Sequence, residues 1–104
     1  MQLLGHNPVI LAEAAKRLEE ARADIIDLNM GCPVPKIVSK GQGAALMREP
    51  LKAAAIFRAI KKAIRVPFTI KIRGGWNEDT INAVEIARLA ESEGVDAITV
   101  HPRT

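Results

Sequence analysis

A parallel α/β fold is predicted by three features of this sequence. Short apolar runs, Ile25-Ile26-Asp27-Leu28, Phe68-Thr69-Ile70-Lys71-Ile72 and Val95-Asp96-Ala97-Ile98-Thr99-Val100, alternate with longer segments whose apolar residues recur at helical spacing. The later two runs are rich in β-branched residues, and Ala23 to Asn29 is nearly unbroken in apolar character, which suits a strand covered on both faces. Polar, glycine-containing stretches follow the strands, as expected where a strand turns into the next helix.

Taken in order, Gln2-Leu3-Leu4-Gly5 reads as the last residues of a strand. Asn7-Pro8 then starts a helix over about residues 8 to 22, with Asn as the cap that accepts from orphan amides and Pro at a position with no amide to lose. Its core positions by spacing are Ile10, Leu11, Ala14, Ala15 and Leu18. A strand over Ala23 to Asn29 follows, and then a loop of about twenty residues, long for such a connection and therefore expected to be functional.

Pro50 to Ile64 is predicted helical, with Leu51, Ala54, Ala55, Ile56, Ile60 and Ile64 inward. Val66 to Arg73 is the next strand, with Pro67 at its entrance, where a missing donor is tolerated. Asp79 or Thr80 can cap the helix carrying Ile81, Val84, Ile86, Ala87, Leu89 and Ala90, and Gly94 closes it. The last strand runs from Val95 to His101.

Two architectures share this rhythm, the open doubly wound sheet and the eightfold barrel. No Gly-x-Gly-x-x-Gly follows a strand, which weakens the dinucleotide-binding form of the first. A complete (β/α)8 barrel takes about 250 residues. The 104 residues are therefore predicted to form a partial TIM barrel of parallel strands, about three βα units plus a closing strand, as a fragment of a single domain.

Composition narrows the function classes. Hydrophobic residues make up 48% and charged residues 26%, as in ordinary globular domains. No apolar run approaches the roughly 18 residues of a membrane span, and no signal peptide is evident, so a cytoplasmic location is expected. The single cysteine, Cys32, excludes an internal disulfide and a cysteine-built metal site, and no metal is expected. A net charge of +3 permits a nucleic-acid partner. Phe57, Phe68 and Trp76 are the only aromatics, too few for base-stacking platforms, so RNA contact would rest on charge and shape.

Cys32 lies in Asn29-Met30-Gly31-Cys32-Pro33, beside two turn-forming residues. A free cysteine is more often a buried filler. At the carboxyl end of a parallel strand, however, it stands where reactive groups collect. Lys71 is a lone cation in an apolar strand, Arg73 shares its face, and His101 closes the last strand. Lys36, Lys40 and Arg48 make the long loop basic, suited either to RNA phosphates or simply to solvent. Asn29 carries both an acceptor oxygen and a donor amide group, suited either to a ligand edge or to a local Asx turn.

Four strand ends, Gln2-Leu3-Leu4-Gly5, Asn29-Met30-Gly31-Cys32-Pro33, Lys71-Ile72-Arg73 and His101-Pro102-Arg103-Thr104, together with Lys40-Gly41-Gln42-Gly43-Ala44-Ala45-Leu46, resemble the tRNA-dihydrouridine synthase family over essentially the whole chain. The resemblance implies a TIM barrel binding flavin mononucleotide (FMN), a C-terminal helical domain absent from this chain, NADPH as reductant and tRNA uridines as substrate. It makes Cys32 the acid that protonates the uracil ring, a role suited to a thiol with an ordinary pKa of about 8.5. It makes Gln2, Lys71 and His101 flavin contacts, with Lys71 offsetting negative charge on the reduced ring. Asn29 becomes a uracil ligand; Arg73 could bond a uracil carbonyl or a phosphate, and the basic loop makes Lys36 and Lys40 expected contacts to RNA. Pro102 departs from the glycine usual after the histidine, and proline removes an amide donor there.

Two other readings fit the same residues. Flavin barrels acting on free pyrimidines, such as dihydroorotate or dihydropyrimidine dehydrogenases, also place an Asn and a Cys-Pro near the flavin; Gly31 and Gly43-Ala44 favour the RNA enzyme. Alternatively, a non-catalytic αβ fragment would pair its open strand edges with a second copy.

Overall fold

In the computed structural model, residues 2–31, 43–73 and 83–101 are described. Four strands, β1 (Gln2–Leu3), β2 (Ile26–Met30), β3 (Phe68–Arg73) and β4 (Ala97–His101), form one parallel sheet in the order β1-β2-β3-β4. Among the described residues, three α-helices lie between them: α1 (Pro8–Glu20), α2 (Pro50–Ala63) and α3 (Ala83–Ser92). With the strands parallel and in sequential order, these three helices pack into one core on the same side of the sheet. This is the arrangement of an arc of a (β/α)8 barrel.

Side-chain alternation divides the sheet sharply. Leu3, Ile26, Leu28, Met30, Phe68, Ile70 and Ile72 are buried against Leu11 and Ala15 of α1, Ala53, Ile56, Phe57 and Ile60 of α2, and Ile86 and Ala90 of α3. The rings of Phe57 and Phe68 meet with centroids 6.3 Å apart and planes tilted by 59°, a favourable aromatic geometry. Gln2, Asp27, Asn29, Thr69, Lys71 and Thr99 alternate with these residues and are half-buried or exposed. The expectation that β2 is apolar on both faces is therefore corrected: Asp27 and Asn29 give it one polar face.

The helix ends follow from local chemistry. Asn7 caps α1, its side-chain oxygen accepting from Val9 N at 2.9 Å and Ile10 N at 3.1 Å. Both α1 and α3 end in Schellman turns. At α1, Ala23 N donates to Leu18 O and Arg22 N to Glu19 O; at α3, Val95 N donates to Ala90 O and Gly94 N to Glu91 O. Such turns place one residue in the left-handed region, here Gly94 at φ +87° and Arg22 at φ +70°. The expected caps Asp79 and Thr80 lie outside the described residues.

Three of the expected core positions are corrected. Ile10 is 64% exposed, Leu51 85% and Val84 66%. Each sits in the first turn of its helix, which in a βα unit lies at the carboxyl end of the sheet and overshoots it. Ala53 and Phe57 supply the inward face of α2 that Leu51 was expected to share. The long loop also contains an unexpected 3-10 helix, Gly43–Arg48, whose Leu46 and Met47 are fully buried and join the core.

Carboxylates organise the opposite end of the sheet, where strands begin. Glu19 accepts from the amides of Arg65 (2.5 Å) and Val66 (3.0 Å), which holds its pKa below the ordinary carboxylate value. Asp96 accepts from Phe68 N at 2.8 Å and Lys61 Nζ at 3.0 Å, and its pKa is lowered by that amide first and the ammonium second. Arg58 grips Glu93 with two bonds, at 2.8 and 3.1 Å, lowering the pKa of Glu93 and raising its own.

Candidate active site at the strand ends

Strand register assembles the polar face into rows. Gln2 lies opposite Asp27, Asp27 opposite Thr69 and Thr69 opposite Ala97. The next row toward the carboxyl ends contains Asn29, Lys71 and Thr99. One step further, Arg73 and His101 are register partners at the ends of β3 and β4. Neighbouring parallel strands stand about 4.8 Å apart, so Asn29 and Lys71 are in reach of one ligand.

Asn29 and Lys71 are thus brought together, and Arg73 with His101. Asn29 Oδ1 accepts from Gly31 N at 2.9 Å, an Asx turn that shapes the backbone leading toward Cys32. The local role and a ligand role are compatible, because the side-chain amide nitrogen is a separate group from the oxygen in the turn. Lys71 is exposed on the polar face and forms no ion pair among the described residues. Gln2 lies one row below this pair, its Nε2 donating to Asp27 Oδ2 at 3.3 Å. Cys32, Lys36 and Lys40 lie outside the described residues.

Sequence reasoning missed Asp27 and Thr69. Thr69 Oγ1 donates to Asp27 Oδ1 at 2.7 Å, so one carboxylate ties together β1, β2 and β3 across the polar face. The available signal was the acid inside the run Ile-Ile-Asp-Leu, since an ionisable residue in an apolar strand needs partners.

Other features of the surface lie apart from these rows. A cleft of about 180 Å³ between β1 and α1, lined mainly by Leu3, Leu4, Ile10, Leu11 and Ala14, is apolar and flanks the sheet. Among the described residues no three His, Cys, Asp or Glu side chains cluster as a metal site requires. No helix among the described residues is long and apolar enough to cross a membrane.

Comparison with known proteins agrees with the pattern of strand ends. The family model described as "Dihydrouridine synthase (Dus)" matches residues 1–104. The chain is 48% identical to tRNA-dihydrouridine synthase B of Pseudomonas aeruginosa over 104 residues, all of this chain and 31% of that protein. It is 49% identical to the probable tRNA-dihydrouridine synthase of Rickettsia bellii and to tRNA-dihydrouridine synthase B of Proteus vulgaris, covering 32% of each. The chain spans about a third of the length of these relatives and aligns with them along its whole extent. It belongs to the dihydrouridine synthase family.

Proposed function

We propose that this chain supplies ligand-facing strand ends of a flavin-dependent tRNA-dihydrouridine synthase, one stretch of a single barrel domain that a helical tRNA-binding domain accompanies. The observation that carries the reading is the row Asn29, Lys71 and Thr99 on the polar face of a parallel sheet, at the end where barrel enzymes hold their ligands. Membership of the family favours tRNA over a free pyrimidine as substrate, and the relatives bear the tRNA-dihydrouridine synthase name. The modification of tRNA suits a cytoplasmic protein.

The family is flavin-dependent, and FMN with NADPH as reductant is the pairing proposed for this member. The residues present fit a flavin: an exposed cation stands beside hydrogen-bonding side chains on the face that the helices leave uncovered. Lys71 and Gln2 would hold the ring and His101 would flank it. When bound, the reduced flavin supplies the hydride that goes to carbon 6 of the uracil.

This chain's own residues handle the rest. The thiol of Cys32 gives the proton to carbon 5, completing saturation of the C5–C6 double bond. Asn29 and Arg73 orient the base by its polar edge. Lys71 places positive charge where negative charge collects, in a site from which bound RNA excludes water. Lys36 and Lys40, in the basic loop, contact RNA phosphates.

The test uses a full-length protein carrying this chain, purified, loaded with FMN and supplied with NADPH. An unmodified tRNA transcript should gain dihydrouridine, read as two mass units in a nuclease digest, while free uridine should turn over poorly. Equal turnover of free uridine, or reduction that needs no flavin, would overturn the reading.

A further inference from the structure

Asp27 holds two hydrogen bonds on the polar face that the proposed chemistry leaves unused. Its carboxylate accepts from Gln2 Nε2 at 3.3 Å and from Thr69 Oγ1 at 2.7 Å. The row it centres lies two residues, about 7 Å, from the Asn29–Lys71 row.

A carboxylate only accepts, so Gln2 can meet it only through the amide nitrogen. That choice matters, because a glutamine amide turned by half a revolution keeps its shape while exchanging donor for acceptor. With the nitrogen engaged by Asp27, the carbonyl oxygen Oε1 occupies the other branch of the planar group.

We infer that Asp27 is a positioning residue, which sets the polarity of the Gln2 amide so that its oxygen is offered to the ligand. The face then selects a ring presenting an N–H donor at β1. This rests on the proposed flavin and uridine site, whose two rings each carry an imide N–H between two carbonyls. Thr69 braces Asp27 from the far side, which keeps the carboxylate aimed across the strands.

The experiment compares wild type, Asp27→Asn, Gln2→Leu and the double variant in the full-length protein carrying this chain. In the flavin-free state, the side-chain amide resonances of 15N-labelled Gln2 should move in Asp27→Asn. Ligand selection is then read with FMN against N3-methyl-FMN, and with uridine against 3-methyluridine as the target base in tRNA.

Wild type should bind or use one methylated ring about tenfold less well, the cost of a lost hydrogen bond with an acceptor left unpaired. Because Gln2 is placed against the flavin, the methylated flavin should be the ring that suffers; a loss confined to 3-methyluridine would overturn that placement. The discrimination should shrink to about twofold in Asp27→Asn and in Gln2→Leu, with no further loss in the double variant. Unmoved Gln2 resonances, or discrimination unchanged in Asp27→Asn, would overturn the positioning role. Failure of wild type to bind FMN, with Gln2 resonances that still respond to Asp27→Asn, would instead count against the flavin reading while supporting the brace.

Discussion

Asn29 on β2 and Lys71 on β3 face each other directly in the parallel register, with Thr99 of β4 beyond. The pair separates two tasks that one substitution each can expose. Asn29→Asp keeps an oxygen for the Asx turn to Gly31 N and removes the side-chain donor, whereas Asn29→Ala removes both. Asn29→Asp should melt within a few degrees of wild type yet reduce tRNA uridine at least tenfold more slowly; Asn29→Ala should lose stability as well. Thermal melting beside dihydrouridine yield measures both effects.

Lys71 is exposed, so Lys71→Met should change stability by no more than about 0.5 kcal/mol. Flavin affinity should fall by about 10-fold or more, the scale of one charge-assisted hydrogen bond. Retained flavin after gel filtration and a urea titration of the same sample check the two halves. Unchanged flavin retention would place the cation outside the site.

The two Schellman turns give opposite stability predictions from the same geometry. Gly94 adopts φ +87° without cost, and a Cβ there would stand 3.5 Å from Lys61 Cε, an ordinary contact. Gly94→Ala should therefore cost about 1–2 kcal/mol through backbone strain alone. Arg22 already bears that strain at φ +70°. Arg22→Gly should stabilise by about 0.5 kcal/mol after the added freedom of the unfolded glycine is subtracted. Urea unfolding midpoints of the two variants should move in opposite directions.

Acid should weaken the fold through Glu19, Glu93 and Asp96. The amides of Arg65 and Val66, the Arg58 guanidinium, and the Phe68 amide with Lys61 hold the three carboxyls below their ordinary values of 4.5, 4.5 and 3.8. Because the folded pKa values are the lower ones, the unfolded chain takes up protons first. The stabilisation is complete above the ordinary carboxylate range and is lost as pH falls through the depressed folded values. Urea midpoints should hold level from pH 7 to about 5 and drop below it. Glu19→Gln should flatten part of that drop.

Much of the architecture was legible because local chemistry dictates it. Asn7-Pro8 announced α1, Gly94 announced the end of α3, and alternating apolar runs announced the parallel strands. Helical spacing also found a face for α1, α2 and α3, but spacing cannot tell how far the sheet extends beneath a helix. Ile10, Leu51 and Val84 fall past that limit. Leu46 and Met47 were hidden in a stretch of loop composition, where a buried 3-10 turn has too few residues to show periodicity.

The candidate residues were legible at the strand ends, but the rows they form were not. Motif residues identify Asn29, Lys71, Arg73 and His101 one strand at a time. Only strand register shows that Asn29 neighbours Lys71 and that Arg73 neighbours His101. Asp27 escaped notice for a related reason: its partners Gln2 and Thr69 are 25 and 42 residues away in sequence.

The most direct measurement is dihydrouridine formation on unmodified tRNA by the full-length protein with Cys32→Ala. A general acid is worth about 100-fold to 10,000-fold in rate, so the variant should keep its flavin and its reduction by NADPH while uridine saturation falls by at least about 100-fold. Undiminished uridine reduction in Cys32→Ala would contradict the proposed role of the strand end at which Asn29 and Gly31 form their turn.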